Sequence, residues 1–135
     1  METTTPLQII EALYGGLTAG DVSTVRPLLD PRITWTEAEG FPLAGTFHGP
    51  DAVIEGVLMR LAAEWEDFRT TPREFVDGGE TVVVLGEYSG TYKATGKAFA
   101  APFAHVWKVR EGRAVRYVQY TDTLLVHRAL EPVSG

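Results

Sequence analysis

Residues Ala98–Asp122 read AFAAPFAHVWKVREGRAVRYVQYTD, two long strands folded back on each other. The first, about Ala98–Val109, alternates Phe99, Ala101, Phe103, His105 and Trp107 with Ala100, Pro102, Ala104, Val106 and Lys108. Arg110-Glu111-Gly112 is the turn, where glycine can adopt the positive φ that a short hairpin loop demands. The return strand, Ala114–Tyr120, is rich in the β-branched and aromatic residues that suit a pleated surface. Large apolar groups occupy both faces of this hairpin, so both faces need cover. It is the centre of a sheet that the rest of the chain is built to enclose.

Upstream of the hairpin the period changes. Thr5-Pro6 is a cap followed by a first helical turn, and Leu7, Ile10, Leu13, Tyr14 and Leu17 recur at helical spacing up to Gly20. Asp21 opens a short helix through Val25, Leu28 and Leu29, closed by Asp30-Pro31. A strand follows in which Ile33, Trp35 and Glu37 share one face. Ala38–Pro50, with three glycines and two prolines, is a loop holding a short paired piece at Thr46–His48. Asp51 begins a third helix with Val53, Val57, Leu58, Leu61, Ala62 and Trp65 on its apolar side. Strands are expected at about Phe68–Val76 and Thr81–Tyr92 ahead of the hairpin. Leu124, Leu125 and Leu130 mark a terminal helix, and Glu131–Gly135 is expected to fray. Helices first and antiparallel strands after is the α+β order.

Composition sets the boundaries of function. One domain of 135 residues, with 44% hydrophobic and 22% charged residues, is ordinary for a globular protein. The absence of cysteine excludes disulfide and thiolate chemistry. A net charge of −6 without a basic cluster argues against nucleic acid as a partner. No apolar run reaches the roughly 18 residues of a membrane span, and Met1-Glu2-Thr3 lacks the basic start of a signal peptide, so a cytoplasmic protein is expected. His48, His105 and His127 show no metal-ligand spacing, and no phosphate loop or nucleophile elbow occurs, so neither metal nor cofactor is expected.

Helix, Ala19-Gly20-Asp21, helix, a strand ending near Glu37, Gly45-x-x-x-Gly49, helix, and a four-strand meander closing on Tyr120-x-Asp122 resemble one known family. That order is similar to the nuclear transport factor 2-like superfamily, and within it to the SnoaL-like and ketosteroid-isomerase-related proteins. The resemblance implies a cone: a strongly curved antiparallel sheet wrapped around the N-terminal helices, with an apolar pocket for a small hydrophobic molecule. It also implies a homodimer paired through the outer sheet face. By the same resemblance the isomerase's general-base aspartate falls on Glu37, its oxyanion tyrosine on Leu13 beside Tyr14, and its protonated oxyanion aspartate on Ala104. Both oxyanion donors are then missing. The acid–base set of the limonene epoxide hydrolase relatives falls on Ala100, Pro102 and Gln119 and is also missing, whereas the cyclases' last-strand aspartate resembles Asp122.

The resulting expectation is an isomerase- or cyclase-like enzyme that abstracts a proton next to a carbonyl. Glu37 or Asp122 is the base, Gln119 orients the substrate, and Trp35, His48, Tyr88 and Tyr117 shape the pocket. Glu87 and Tyr88 alternate on their strand, so one of them faces in. Because the isomerase's inward acid falls on Ala104, Phe103, His105 and Trp107 are expected to face outward and form the dimer interface, although Lys108 then points inward. The competing expectations are a non-catalytic hydrophobic-ligand binder and a pure dimerisation module of the same fold.

Overall fold

In the computed structural model, which describes residues 4–132, the hairpin forms as read: β5 (Ala98–Arg110) pairs antiparallel with β6 (Arg113–Thr121). Arg110 and Arg113 flank a two-residue turn in which Glu111 (φ 51°) and Gly112 (φ 77°) are both left-handed. That backbone matches the twist of the flanking strands, which is why the loop can be so short.

The elements before the hairpin follow the periodicities. Helix α1 (Pro6–Ala19) starts from Thr5, whose side chain accepts from the Gln8 N–H while Gln8 reciprocates, and it stops at left-handed Gly20. Helix α2 (Val22–Val25) is capped by Asp21 and runs into a 3₁₀ turn, Arg26–Leu28. Strand β1 (Leu29–Glu37) begins at Leu29, so the chain leaves helix before Asp30-Pro31 rather than at it. Strand β2 (Gly45–His48) pairs with the end of β1. Helix α3 (Pro50–Val53), a π-helical stretch (Ile54–Leu58) and helix α4 (Met59–Glu64) follow one another directly. Trp65, counted above on that helix, is instead the first residue of β3 (Trp65–Gly78). Strand β4 (Thr81–Tyr92) and helix α5 (Thr123–Leu130) complete the fold. The last three residues of the tail expected to fray lie outside the described residues.

Sheet order is β2-β1-β6-β5-β4-β3, giving an α+β fold with one mixed six-stranded sheet. The expectation of a wholly antiparallel sheet is corrected at one place: β1 runs parallel to β6, with Trp35 opposite Tyr117. A second correction concerns shape, because the sheet is open and not strongly curled into a cone. Gly86 shows how closely the strands are drawn together. A Cβ there would sit 2.3 Å from the Thr71 carbonyl oxygen and 2.5 Å from the Phe103 ring.

The third correction is the one that matters for function. Phe99, Ala101, Phe103, His105, Trp107 and Val109 face the interior, not solvent or a partner, and Trp107 is fully buried. Pro102, Ala104, Val106 and Lys108 take the outer face. Side-chain parity in a strand has period two, so an alignment one residue out of phase inverts every side chain. Cover decides which phase wins. Helix α1 packs across β3, β4, β5 and β6, and its Ile9, Ile10, Leu13 and Tyr14 bury the larger aromatic set. The outward stripe of Phe103, His105 and Trp107 therefore does not exist.

Candidate functional site

Glu37 ends β1 with its side chain on the Ile33 and Trp35 face, and only 3% of it is exposed. The parallel pairing with β6 brings Tyr117 beside Trp35, their ring centroids 3.9 Å apart, and Gln119 follows on the same buried face of β6. Tyr88 on β4 and His105 on β5 reach in from the far side of the hairpin, and Tyr14 comes down from α1. Thus five of the residues singled out above, Trp35, Glu37, Tyr88, Tyr117 and Gln119, meet in one buried cluster.

Most polar atoms of the cluster form one chain, and Trp35 with Glu37 forms a separate pair. Trp107 Nε1 donates to the Tyr14 hydroxyl at 3.0 Å, and that hydroxyl is hydrogen-bonded to His105 Nδ1. On the other side of the imidazole, Nε2 and the Tyr88 hydroxyl are 2.5 Å apart. Gln119 Nε2 donates to the same Tyr88 oxygen at 2.8 Å, while Gln119 Oε1 accepts from the Ala38 N–H at 2.9 Å. Trp35 Nε1 donates to Glu37 Oε1 at 2.8 Å. Glu37 Oε2 is buried and has no partner among the described residues. An unpaired buried carboxylate oxygen is costly, and its cost falls on the charged form.

Burial tunes the acids and bases of this cluster. It lifts the Glu37 carboxyl from 4.5 to about 7, with the Trp35 N–H opposing the rise. It drives His105 well below the usual imidazole range, so the ring is neutral. Tyr14, Tyr88 and Tyr117 are all pushed up by burial, and the Glu37 charge adds to the rise at Tyr88 and Tyr117. A carboxyl poised near 7 inside an aromatic enclosure is suited to general acid–base work.

Two expected residues stand elsewhere. Asp122 is exposed, and its carboxylate caps α5 by accepting from the Leu125 N–H. Replacing it with Ala is expected to lower the unfolding free energy by about 1 kcal/mol. Urea denaturation checks this, and an unchanged midpoint would refute the capping role. His48 is exposed on the edge strand β2, opposite Thr34, and touches none of the cluster. Of the Glu87 and Tyr88 pair, Tyr88 is the inward member and Glu87 faces solvent.

Two cluster members were missed. Tyr14 and His105 are the immediate neighbours of Leu13 and Ala104, where the resemblance placed the lost oxyanion donors. Comparing the bulk of the two faces of β5 would have turned His105 inward, and Tyr14 sits in register with Ile10 and Leu17 on α1. Among the described residues no group of three or more His, Asp or Glu side chains could hold a metal. Among the described residues no helix is long and apolar enough to cross a membrane.

A cavity of about 780 Å³ opens beside the cluster, between the C-terminal part of α1, α2, α4 and the start of β3. Leu17, Val25, Leu58, Trp65 and Phe68 give it an apolar wall, and none of Glu37, Tyr88, His105 or Gln119 lines it. Phe68 belongs to both regions, since its ring centroid is 5.4 Å from that of Tyr88.

Comparison with known proteins follows the same outline. An NTF2-like protein from Burkholderia thailandensis is 41% identical, with 96% of this chain and all of that one covered at a TM-score of 0.94. Another, from Burkholderia pseudomallei and of unknown function, is 31% identical over 94% and 98% of the two chains, with a TM-score of 0.84. TerC, crystallised with polyporic acid, is 29% identical over 93% of this chain and 97% of its own, at a TM-score of 0.83. None of the curated proteins matches the sequence at a significant level. Residues 10–117 match the SnoaL-like domain, and on that match together with the 41% relative the chain belongs to the SnoaL-like family and has the NTF2-like fold.

Proposed function

We propose that this protein binds a small, largely apolar carbonyl compound and moves a proton next to that carbonyl without a cofactor. Glu37 is the base. The observation that carries this reading is its buried, unpartnered Oε2, on a carboxyl that burial holds at about 7. In the reaction Oε2 accepts a proton from the carbon beside the carbonyl, and the C–H electron pair moves into the enolate. Returning the proton to a different carbon gives an isomerase, and attack of the enolate carbon on a second carbonyl gives a cyclase. Trp35 and Tyr117 offer flat apolar faces, Gln119 holds Tyr88 in place, and Phe68 is the wall that a ligand in the neighbouring cavity must displace to reach Glu37. TerC, similar over nearly the whole fold, was crystallised with polyporic acid, which supports a small organic ligand.

The test is deuterium exchange of a panel of aryl ketones and 1,3-diketones in D₂O, followed by NMR. The wild type is expected to accelerate exchange, and Glu37→Gln to lose about 10²–10⁴ of that rate while still binding the ligand. Equal binding by both proteins with exchange in neither would favour the non-catalytic binder. That reading has its own support, because the cavity is open while Glu37 is enclosed.

We also propose that the outer sheet face pairs two chains, through residues different from those expected. Val83, Val106 and Val118 lie in one cross-strand row, and Leu85, Ala104 and Tyr120 in the next. Leu85 and Tyr120 are 37% and 58% exposed. Light scattering is expected to give the mass of two chains for the wild type and of one for Leu85→Lys/Tyr120→Lys. A wild-type mass of one chain at micromolar concentration would exclude the dimer.

A further inference from the structure

The chain of hydrogen bonds from Trp107 to Tyr88 has a direction that follows from counting protons. Tyr14 and Tyr88 each carry one hydroxyl proton, and neutral His105 carries one N–H. The two bonds to the imidazole use two of these three protons. The third must point away from the ring, either from Tyr14 or from Tyr88.

The surroundings of the two hydroxyls decide which. Tyr14 already accepts from Trp107, and otherwise faces the rings of Phe75 and Trp107, which offer no strong acceptor. Tyr88 already accepts from Gln119, and its other polar neighbours are Glu37 and Tyr117. Trp107 Nε1 can only donate, whereas an ionised Glu37 carboxylate can only accept. Glu37 is not hydrogen-bonded to Tyr88, but it is the residue before Ala38, whose N–H is bridged to the Tyr88 hydroxyl by Gln119. The nearest acceptor outside the chain therefore lies on the Tyr88 side, and the sense runs from Trp107 through Tyr14 and His105 to Tyr88.

We propose that His105 is a positioning residue. As the Nε2–H tautomer it donates to Tyr88, so that the Tyr88 hydroxyl proton is turned towards the Glu37 side, where it meets the carbonyl oxygen of a bound substrate. This rests on the proton-transfer reading above and supplies the oxyanion donor that Leu13 and Ala104 lack. With His105 and Gln119 both donating to its oxygen, Tyr88 becomes the stronger donor to a developing enolate. No covalent step is added: Glu37 takes the carbon-bound proton, and Tyr88 keeps its own while sharing it with the enolate oxygen.

The direct measurement is the pair of imidazole ¹⁵N shifts of His105 in ¹⁵N-labelled wild-type protein. His48 and His127 are exposed and His105 is buried, and the His105 pair is assigned by its absence from the spectrum of His105→Gln protein. The expected result is a protonated-type shift at Nε2 and an unprotonated-type shift at Nδ1; the reverse pattern would overturn the proposal. For the role in catalysis, Tyr88→Phe and His105→Gln are each expected to lower the exchange kcat by about 10–10³-fold with KM within about twofold. The double variant is expected to be no slower than the slower single one. Multiplying losses would mean that the two act separately and would also overturn it. The tautomer is read without activity, so an Nε2–H ring in a protein that exchanges nothing would sink the proposed reaction and leave the hydrogen-bond sense standing.

Discussion

Glu37→Gln is expected to lose most of the proton exchange and, at the same time, to remove the fall of stability with rising pH. In the folded chain the Glu37 carboxyl sits at about 7 rather than 4.5, and burial is the main cause. A raised pKa means that the native state holds the proton more tightly than the unfolded chain does. The contribution to stability is therefore full below about pH 4.5 and is lost as pH rises through 7. Over that window the loss is about 3 kcal/mol, a large share of the 5–15 kcal/mol typical of a domain. Glutamine cannot ionise, so the variant loses this decline and keeps only the opposite slope of His105, whose lowered pKa makes stability rise with pH up to the ordinary imidazole range. Asp21 works in the opposite sense but at lower pH: its carboxylate is held below 3.8 by Ser23 and Thr24, so its stabilisation is lost only as pH falls through that region. Denaturant melts of both proteins at pH 5, 6, 7 and 8 follow the Glu37 window and stay above that of Asp21. Parallel curves for wild type and variant would show that Glu37 is ionised normally, and the case for it as the base would fall with them. The same substitution removes function and relieves strain, as expected where a buried charge is kept for chemistry.

Trp107→Ala is expected to be the most damaging single change to the fold, costing about 3–5 kcal/mol. Trp107 is fully buried, and its ring lies 4.6 Å from Tyr117, 5.5 Å from Trp35 and 6.0 Å from Tyr14, centroid to centroid. Truncation opens a cavity in the middle of the sheet's inner face. It also removes the N–H that starts the hydrogen-bond chain at Tyr14. Trp107→Phe separates the two effects, because it keeps most of the aromatic packing and deletes only the donor. That variant is expected to lose about 1–2 kcal/mol, measured by urea unfolding. If the two variants were equally unstable, the packing term would be negligible and the account of the core given above would be wrong.

The local elements were legible because their signals are local. Thr5-Pro6 and Gly20 mark both ends of α1, Glu111-Gly112 supplies the two positive φ angles of the hairpin turn, and Glu37 shares the face of Ile33 and Trp35 by strand parity alone. The Tyr88 and Glu87 pair shows the limit of such reasoning. Alternation states that one of them is inside, but not which. Aligning the chain to a distant relative answered the same question wrongly for His105, because period two turns a one-residue offset into a full inversion.

By itself, then, the sequence determined the α+β order of elements, the central hairpin and the inward carboxylate at the end of β1. Only the tertiary structure decided that β1 runs parallel to β6, that the Phe103, His105 and Trp107 face is the covered one, and that Tyr14, His105, Tyr88 and Gln119 form one hydrogen-bonded chain. Tyr14 and His105 lie 91 positions apart. What brings them together is the choice of the sheet face on which α1 packs. That choice depends on the apolar area buried over the whole sheet, which no short stretch of residues contains.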